Sequence, residues 1–207
     1  MDAGKLCHRL TLLELRSVKD GDETIHQWAE ARKVWGRVDL SDRTNLFSRV
    51  GIGARDATIT LRDTRHISLF RAIRWAGRHL FLTSMAREDG FITAKAAVVC
   101  PSYWTATTFQ TGVDRERRNS PKREKLPPVH FPAVLTEKYL GHKPPEDLGH
   151  AVSETRYVLV TPKAVQMAPG DLVTTREVFI AGTYVVETCH CLDAYKNEYE
   201  VYRKGDV

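Results

Sequence analysis

The sequence predicts an all-β protein: a small antiparallel β-barrel or sandwich with one short helix or arm, followed by a second, smaller β domain. Two observations predict it. Apolar and polar residues alternate with a period of two along short runs, clearest in residues 56–63, where Ala57, Ile59 and Leu61 oppose Thr58, Thr60 and Arg62. Gly- and Asp-bearing turn signals punctuate those runs, and helical periodicity is scarce.

Taken in order, residues 6–15 alternate loosely, with Leu6, His8, Leu10 and Leu12 on one face. Lys19-Asp20-Gly21-Asp22-Glu23 reads as a hairpin turn, and Ile25, Val34, Trp35 and Val38 mark a second extended stretch ending at Leu40. Residues 56–63, 72–75, 79–85 and 91–99 supply four more strands, with turns at 76–78 and 87–90. Six strands in the first hundred residues describe one barrel. Residues 41–55 break the rhythm. Ser41 or Asp42 is a plausible N-cap, Leu46, Phe47 and Val50 have helical spacing, and Gly51-Ile52-Gly53 ends the run. A short helix with a flexible arm is expected there, since the Lys-Ser/Thr of a phosphate loop is missing.

Residues 112–128 are charged, carry prolines and lack apolar periodicity, as a linker or extended arm does. Strands are expected again at 131–140, 155–161, 172–179, 183–192 and 197–203. The expected organisation is a barrel at 1–100, a basic linker or arm at 101–130 and a second barrel-like domain at 131–207. No repeat of 20–50 residues shows at the level of identity, although two similar barrels in tandem fit the strand pattern.

Composition narrows the function classes. The chain has 207 residues and 23.5 kDa, with 42% hydrophobic residues, room for two domains. The longest uncharged run, 96–113, contains Pro101 and Gln110 and is no membrane span. Asp2, Lys5, Arg9 and Glu14 interrupt the apolar core an export signal needs. Residues 1–100 hold 17 Lys and Arg against 12 Asp and Glu; residues 128–207 hold 8 against 11. The basic excess therefore sits in the first half and the linker, which favours a polyanion or an acidic protein face.

Chemistry finds little purchase. Cys189 and Cys191 flank His190 but lack a second ligand pair at zinc spacing, and Cys7 and Cys100 stand apart; the expectation is small hydrophobes and no metal. The eight histidines are scattered, and no His-Glu-x-x-His, Gly-x-Ser-x-Gly or Walker loop occurs. Glu198 and Glu200 share a strand face and could pair, or could form a solvated face opposite Tyr199 and Val201. The expectation is no enzyme and no cofactor. Arg62, Arg65, Arg71, Arg74 and Arg78, with His66, His79, Phe70 and Trp75, could form a single-strand platform. Alternatively Phe70, Trp75 and Phe81 face the core while the arginines cover the outside, or the arginines line a ring's bore.

Six segments then carry a family resemblance. Gly4-Lys5-Leu6-Cys7-His8-Arg9-Leu10-Thr11-Leu12, Trp28, Val34-Trp35-Gly36-Arg37-Val38, Leu46-Phe47, Thr58-Ile59-Thr60-Leu61-Arg62 and Arg74-Trp75-Ala76-Gly77-Arg78-His79-Leu80-Phe81-Leu82 occur in order over residues 4–100. Together they resemble the tailed-phage head–tail joining family, also called head-closure or stopper proteins. Asp63-Thr64-Arg65-His66-Ile67-Ser68 replaces the family's usual Pro-Gly turn, and residues from Pro101 onward extend beyond its usual length. Within that extension, Tyr157-Val158-Leu159-Val160-Thr161-Pro162-Lys163, Gly170-Asp171-Leu172-Val173 and Asp193-Ala194-Tyr195-Lys196-Asn197-Glu198-Tyr199-Glu200 are similar to segments of small phage connector and tail-associated barrels.

The resemblance implies a structural virion protein of the phage neck, made in the host cytoplasm. It implies a homo-oligomeric ring, commonly a hexamer, that does no covalent chemistry. The implied partners are a portal or adaptor on the head side, a tail terminator or tail-tube protein on the tail side, and packaged double-stranded DNA in the lumen, with no membrane. Arg43, Arg49 and Arg55 are then candidates to face the DNA, if the 41–55 arm points to the axis rather than capping the barrel end. Arg115, Arg117, Arg118, Lys122, Arg123 and Lys125 either grip an acidic neighbour or form a solvated tether. The rival readings are a nucleic-acid-binding barrel module, a tail terminator or tail adaptor, and a small hydrolase or metal protein.

Overall fold

The computed structural model describes residues 3–45, 54–114, 120–138, 156–191 and 193–205. A single 3₁₀ turn, Ala3–Lys5, precedes fourteen strands among these residues. They are β1 (His8–Asp20), β2 (Glu23–Asn45), β3 (Ala54–Arg62), β4 (Ala72–Trp75), β5 (Arg78–Glu88), β6 (Phe91–Val99) and β7 (Ser102–Thr107). There follow β8 (Phe109–Asp114), β9 (Ser120–Lys125), β10 (Val129–Glu137), β11 (Arg156–Pro162), β12 (Leu172–Thr175), β13 (Gly182–His190) and β14 (Lys196–Arg203). The all-β expectation holds.

The first six strands run in the order β1-β4-β5-β6-β3-β2, and β2 pairs back onto β1. That pairing closes the sheet into a barrel, which leaves few open edges. Tight turns set the hairpins. Ala76 and Gly77 both have positive φ between β4 and β5, and Asp89 and Gly90 do the same between β5 and β6. Two consecutive positive-φ residues match the twist of a two-residue hairpin. A register shift at Leu12/Leu13 turns Leu13 inward as well, so Leu10, Leu12 and Leu13 are all buried. The core holds Leu10, Leu12, Ile59, Leu61, Ile73, Leu80, Leu82 and Ile92. β1, β2 and β3 meet closely at Gly36, where an added Cβ would lie 2.5 Å from Leu10 Cδ1 and 2.9 Å from the Thr60 carbonyl.

The later strands run β7-β12-β13-β14-β11-β10, again closed by β10 on β7. This is the same order as the first barrel, with every pairing antiparallel in both. The registers agree residue by residue. Leu10 opposite Val34 becomes Trp104 opposite Phe131, and Ile59 opposite Ala94 becomes Leu159 opposite Tyr199. The bulge between Leu82 and Ser84 in β5 recurs between Val186 and Thr188 in β13. The β1–β2 hairpin tip has its counterpart in the two-stranded β8–β9 ribbon, with Asp20 opposite Glu23 becoming Asp114 opposite Ser120. The chain is therefore a tandem pair of one barrel topology. Identity hides it because the two cores are filled by different side chains at matching positions. Leu10, Ala94 and Leu80 become Trp104, Tyr199 and Tyr184, while Leu12 shrinks to Ala106. The aromatic core also satisfies its polar atoms. Trp104 Nε1 donates to Ser102 Oγ at 2.7 Å, and Tyr199 Oη donates to the Val165 carbonyl at 2.9 Å.

Three sequence expectations change. The expected linker at 101–130 contains β7, a wall of the second barrel, and the β8–β9 ribbon; β8 and β9 lack apolar alternation because neither joins a closed sheet. Of the expected 41–55 helix and arm, 41–45 continue β2 and 54–55 open β3, with Thr44 opposite Arg55, while Leu46, Phe47 and Val50 lie outside the described residues. The strand expected at 172–179 stops at Thr175, leaving Val178 and Phe179 exposed.

Gly36→Ala should lower stability by roughly 1–3 kcal/mol through overpacking against β3, measured by urea unfolding. Ala133 occupies the equivalent place in the second barrel, and Ala133→Gly there should cost less than about 1.5 kcal/mol.

Candidate interaction surfaces

The barrels meet head to tail. The tip of the β1–β2 hairpin lies along the start of β10 in a parallel pairing, Thr24 beside Val129 and Ile25 beside His130. Thr24 N donates to the Pro128 carbonyl at 3.2 Å. Glu23 Oε2 and His130 Nε2 are 3.0 Å apart, and His130 Nδ1 is 2.9 Å from Thr105 Oγ1. Behind this joint, Ala97 of the first barrel packs with Val134, Val158 and Val160 of the second, flanked by Ala54 and Val99. On another side Phe70 meets Tyr195 edge to face at 5.0 Å, beside a cavity of about 250 Å³ that also touches Phe81 and Pro162.

Glu198 and Glu200 belong to the wall of this seam and not to a solvated face. Both are buried, opposite Val160 and Val158. Glu198 pairs with Lys196 at 3.1 Å, while Glu200 accepts from Lys138 and lies 2.9 Å from His190 Nε2. Burial alone would raise the Glu200 pKa, but the hydrogen bonds from Lys138 and His190 outweigh it and hold it below its ordinary value. Their partners are basic and the pair is shielded, so the arrangement is that of buried ion pairs. His190 indeed points away from its cysteine neighbours. Cys189 packs half-buried on the second core with its thiol pushed up to about 11, first by burial; Cys191, Cys7 and Cys100 are exposed rather than buried. Among the described residues no three His, Cys, Asp or Glu side chains gather as a metal site.

The arginine candidates divide. Arg71 is held by Glu14 at 3.2 Å and by the His66 carbonyl, and Arg74 pairs with Glu30. Arg78 lies over Trp75 at 5.9 Å. These three serve the barrel's own surface. Phe81 is buried and Trp75 packs on the core, whereas Phe70 is exposed at the seam. His8, from the His-Arg segment, is structural: Val38 N donates to its Nδ1 at 3.0 Å, and its ring stands 5.2 Å from Trp75.

Arg62 and Arg65 remain exposed, and the structure adds two cations the sequence did not single out. Arg32 and Lys33 on β2 line a groove of about 660 Å³ with Leu6, Trp35, Leu61 and Arg62. Trp35 is 55% exposed there, with the Arg9 guanidinium 5.1 Å above its ring. The local field is positive: His66 is lowered from its ordinary pKa, first by desolvation and then by Arg32, Arg65 and Arg71. Arg32 and Lys33 fall on an unremarkable stretch of β2, so only strand pairing could reveal them.

Of the bore candidates, Arg55 is exposed, with Nε donating to the Ser41 carbonyl at 3.1 Å. Arg43 lies near the end of β2, and Arg49 is outside the described residues. Among the arm candidates, Lys122 and Arg123 are on β9 opposite Gly112 and Thr111, Lys125 is exposed, and Arg115, Arg117 and Arg118 are outside the described residues. Comparisons with family models, with curated proteins and with solved structures gave no match.

His79 gives this region a pH signature. Its ring stands 5.5 Å from Trp28 with Nε2 unpartnered, and burial first, then Arg74, lowers its pKa to about 4. His26, lowered by burial, acts in the same sense. Between pH 6.5 and 4 the unfolded chain takes up a proton that the folded chain refuses, so stability should fall as pH drops through that window. His79→Gln should flatten the decline between pH 7 and 5 in urea unfolding.

Lys138→Met, which leaves the Glu200 carboxylate with His190 alone, should cost roughly 1–3 kcal/mol at pH 7. The Lys138→Met/Glu200→Gln double variant should recover part of that loss, as read by thermal and urea unfolding.

Proposed function

We propose that this protein is a ring-forming structural subunit of a tailed-phage neck, joining the portal or adaptor to the tail and retaining packaged DNA. One observation carries the reading. Of the six segments that resemble the head–tail joining family, all but Leu46-Phe47 fall on the strands and turns of one closed barrel or directly before β1, in chain order. A rigid closed barrel is a suitable ring unit, because a head-to-tail contact repeated between copies closes when its rotation divides the circle. The tandem second barrel doubles the surface each copy can bury, toward the ~1,200–2,000 Å² a stable contact needs. In this reading the protein works by shape and sequence-blind phosphate attraction, with no bond made or broken.

A nucleic-acid-binding module is the second reading, favoured by the exposed cations Arg32, Lys33 and Arg62 around Trp35.

Gold-labelled antibody against the chain should mark the neck of purified phage particles, and native mass spectrometry of neck complexes should find closed rings. Particles lacking the chain, together with tight, steeply salt-dependent DNA binding by the monomer, would replace the neck reading with the second.

A further inference from the structure

A head-to-tail joint uses different surfaces on its two sides, so within a duplicated chain one copy of each surface is left over. The first barrel contributes its hairpin tip, Glu23 to Ile25, and the second contributes the edge of β10 at Val129 and His130. Through the shared register, the unused counterpart of that edge is β2 at Arg32 and Lys33. Thr11 opposite Lys33 matches Thr105 opposite His130, so Lys33 occupies the place where His130 receives the Glu23 carboxylate. This is the edge that borders the 660 Å³ groove.

The groove's charge selects its occupant. Among the described residues no carboxylate pairs with Arg32, Lys33 or Arg62, and Asp63 at the rim faces Arg87 at 3.4 Å. A second copy's unused tip does not suit it. Pro121 stands at the register position of Thr24 and has no N–H to donate, and the ribbon sequence around it carries Arg115, Arg117, Arg118, Lys122, Arg123 and Lys125.

We propose that the groove beside β2 takes an extended acidic segment of a partner protein. The segment adds as a strand parallel to β2 at Arg32 to Val34 and sets a carboxylate on Lys33, as Glu23 is set on His130. Main-chain pairing supplies the register, Arg32 and Arg62 favour further acids along the strand, and Trp35 covers an apolar side chain. The inference stands on the internal duplication and not on the neck reading.

The test titrates the ¹⁵N-labelled full chain with the peptide Asp-Gly-Asp-Glu-Thr-Ile-Glu-Val, with its Lys-for-acid counterpart and with oligothymidylate. The acidic peptide is expected to shift the amides of residues 32–35 and 62–64, more weakly at high salt. Lys33→Glu and Lys33→Gln, both at an exposed position, should weaken binding at least tenfold for the first and several-fold for the second. Absence of shifts at those amides overturns the proposal. So does equal binding of the basic peptide, or oligothymidylate moving the same amides at lower concentration, which would assign the groove to nucleic acid.

Discussion

The seam between the two barrels is the constraint on which the rest of the structure depends. A four-residue parallel pairing between a hairpin tip and a strand edge is too short to fix two bodies by hydrogen bonds alone. The apolar contact of Ala97 with Val134, Val158 and Val160 supplies the non-directional part, and water is kept from it. That exclusion is what makes the adjoining Glu198 and Glu200 tolerable only with lysine and histidine beside them. The seam thus couples packing to charge: the valines give contact, and the ion pairs penalise any arrangement that separates Lys138 and His190 from Glu200.

Duplication gives this seam its meaning. Two barrels related by a two-fold would spend the same surface on each side. These two spend a tip on one side and an edge on the other, so the first barrel keeps a cationic edge and the second a basic, proline-bearing tip. Proline in the ribbon also removes a backbone donor, which blunts the open polymerisation that a repeated heterologous contact invites. Among the described residues no carboxylate pairs with the cations Arg32, Lys33 and Arg62 around Trp35, whereas Arg71, Arg74 and Arg78 are engaged within their own barrel.

Much of the fold was legible from alternation and turn chemistry. Ala57, Ile59 and Leu61 against Thr58, Thr60 and Arg62 is a barrel wall written in two letters, and Asp89-Gly90 is a hairpin wherever it falls. Other parts were not legible, for physical reasons. β9, Ser120–Lys125, pairs with β8 in a two-stranded ribbon and its sequence has no apolar alternation, so its strand state leaves no hydrophobic trace. Glu198 and Glu200 look solvated in sequence because they alternate with the core residues Tyr199 and Val201, yet their own face, opposite Val160 and Val158, is buried as well. The repeat itself vanished because each core is filled by different side chains at matching register positions, Leu10 and Ala94 in one against Trp104 and Tyr199 in the other. Arg32 and Lys33 became a site only when strand pairing showed which edge stays open.

Amide hydrogen exchange at Thr24 addresses the head-to-tail joint most directly. Thr24 sits next to a Gly21-Asp22 turn, where an independent hairpin tip would exchange its amide within moments at neutral pH. If the two barrels are locked as described, its bond to the Pro128 carbonyl should slow exchange at least a hundredfold, in step with Val158 and Val160. Exchange at the rate of a free turn, with the two barrels' interiors opening independently, would contradict the account.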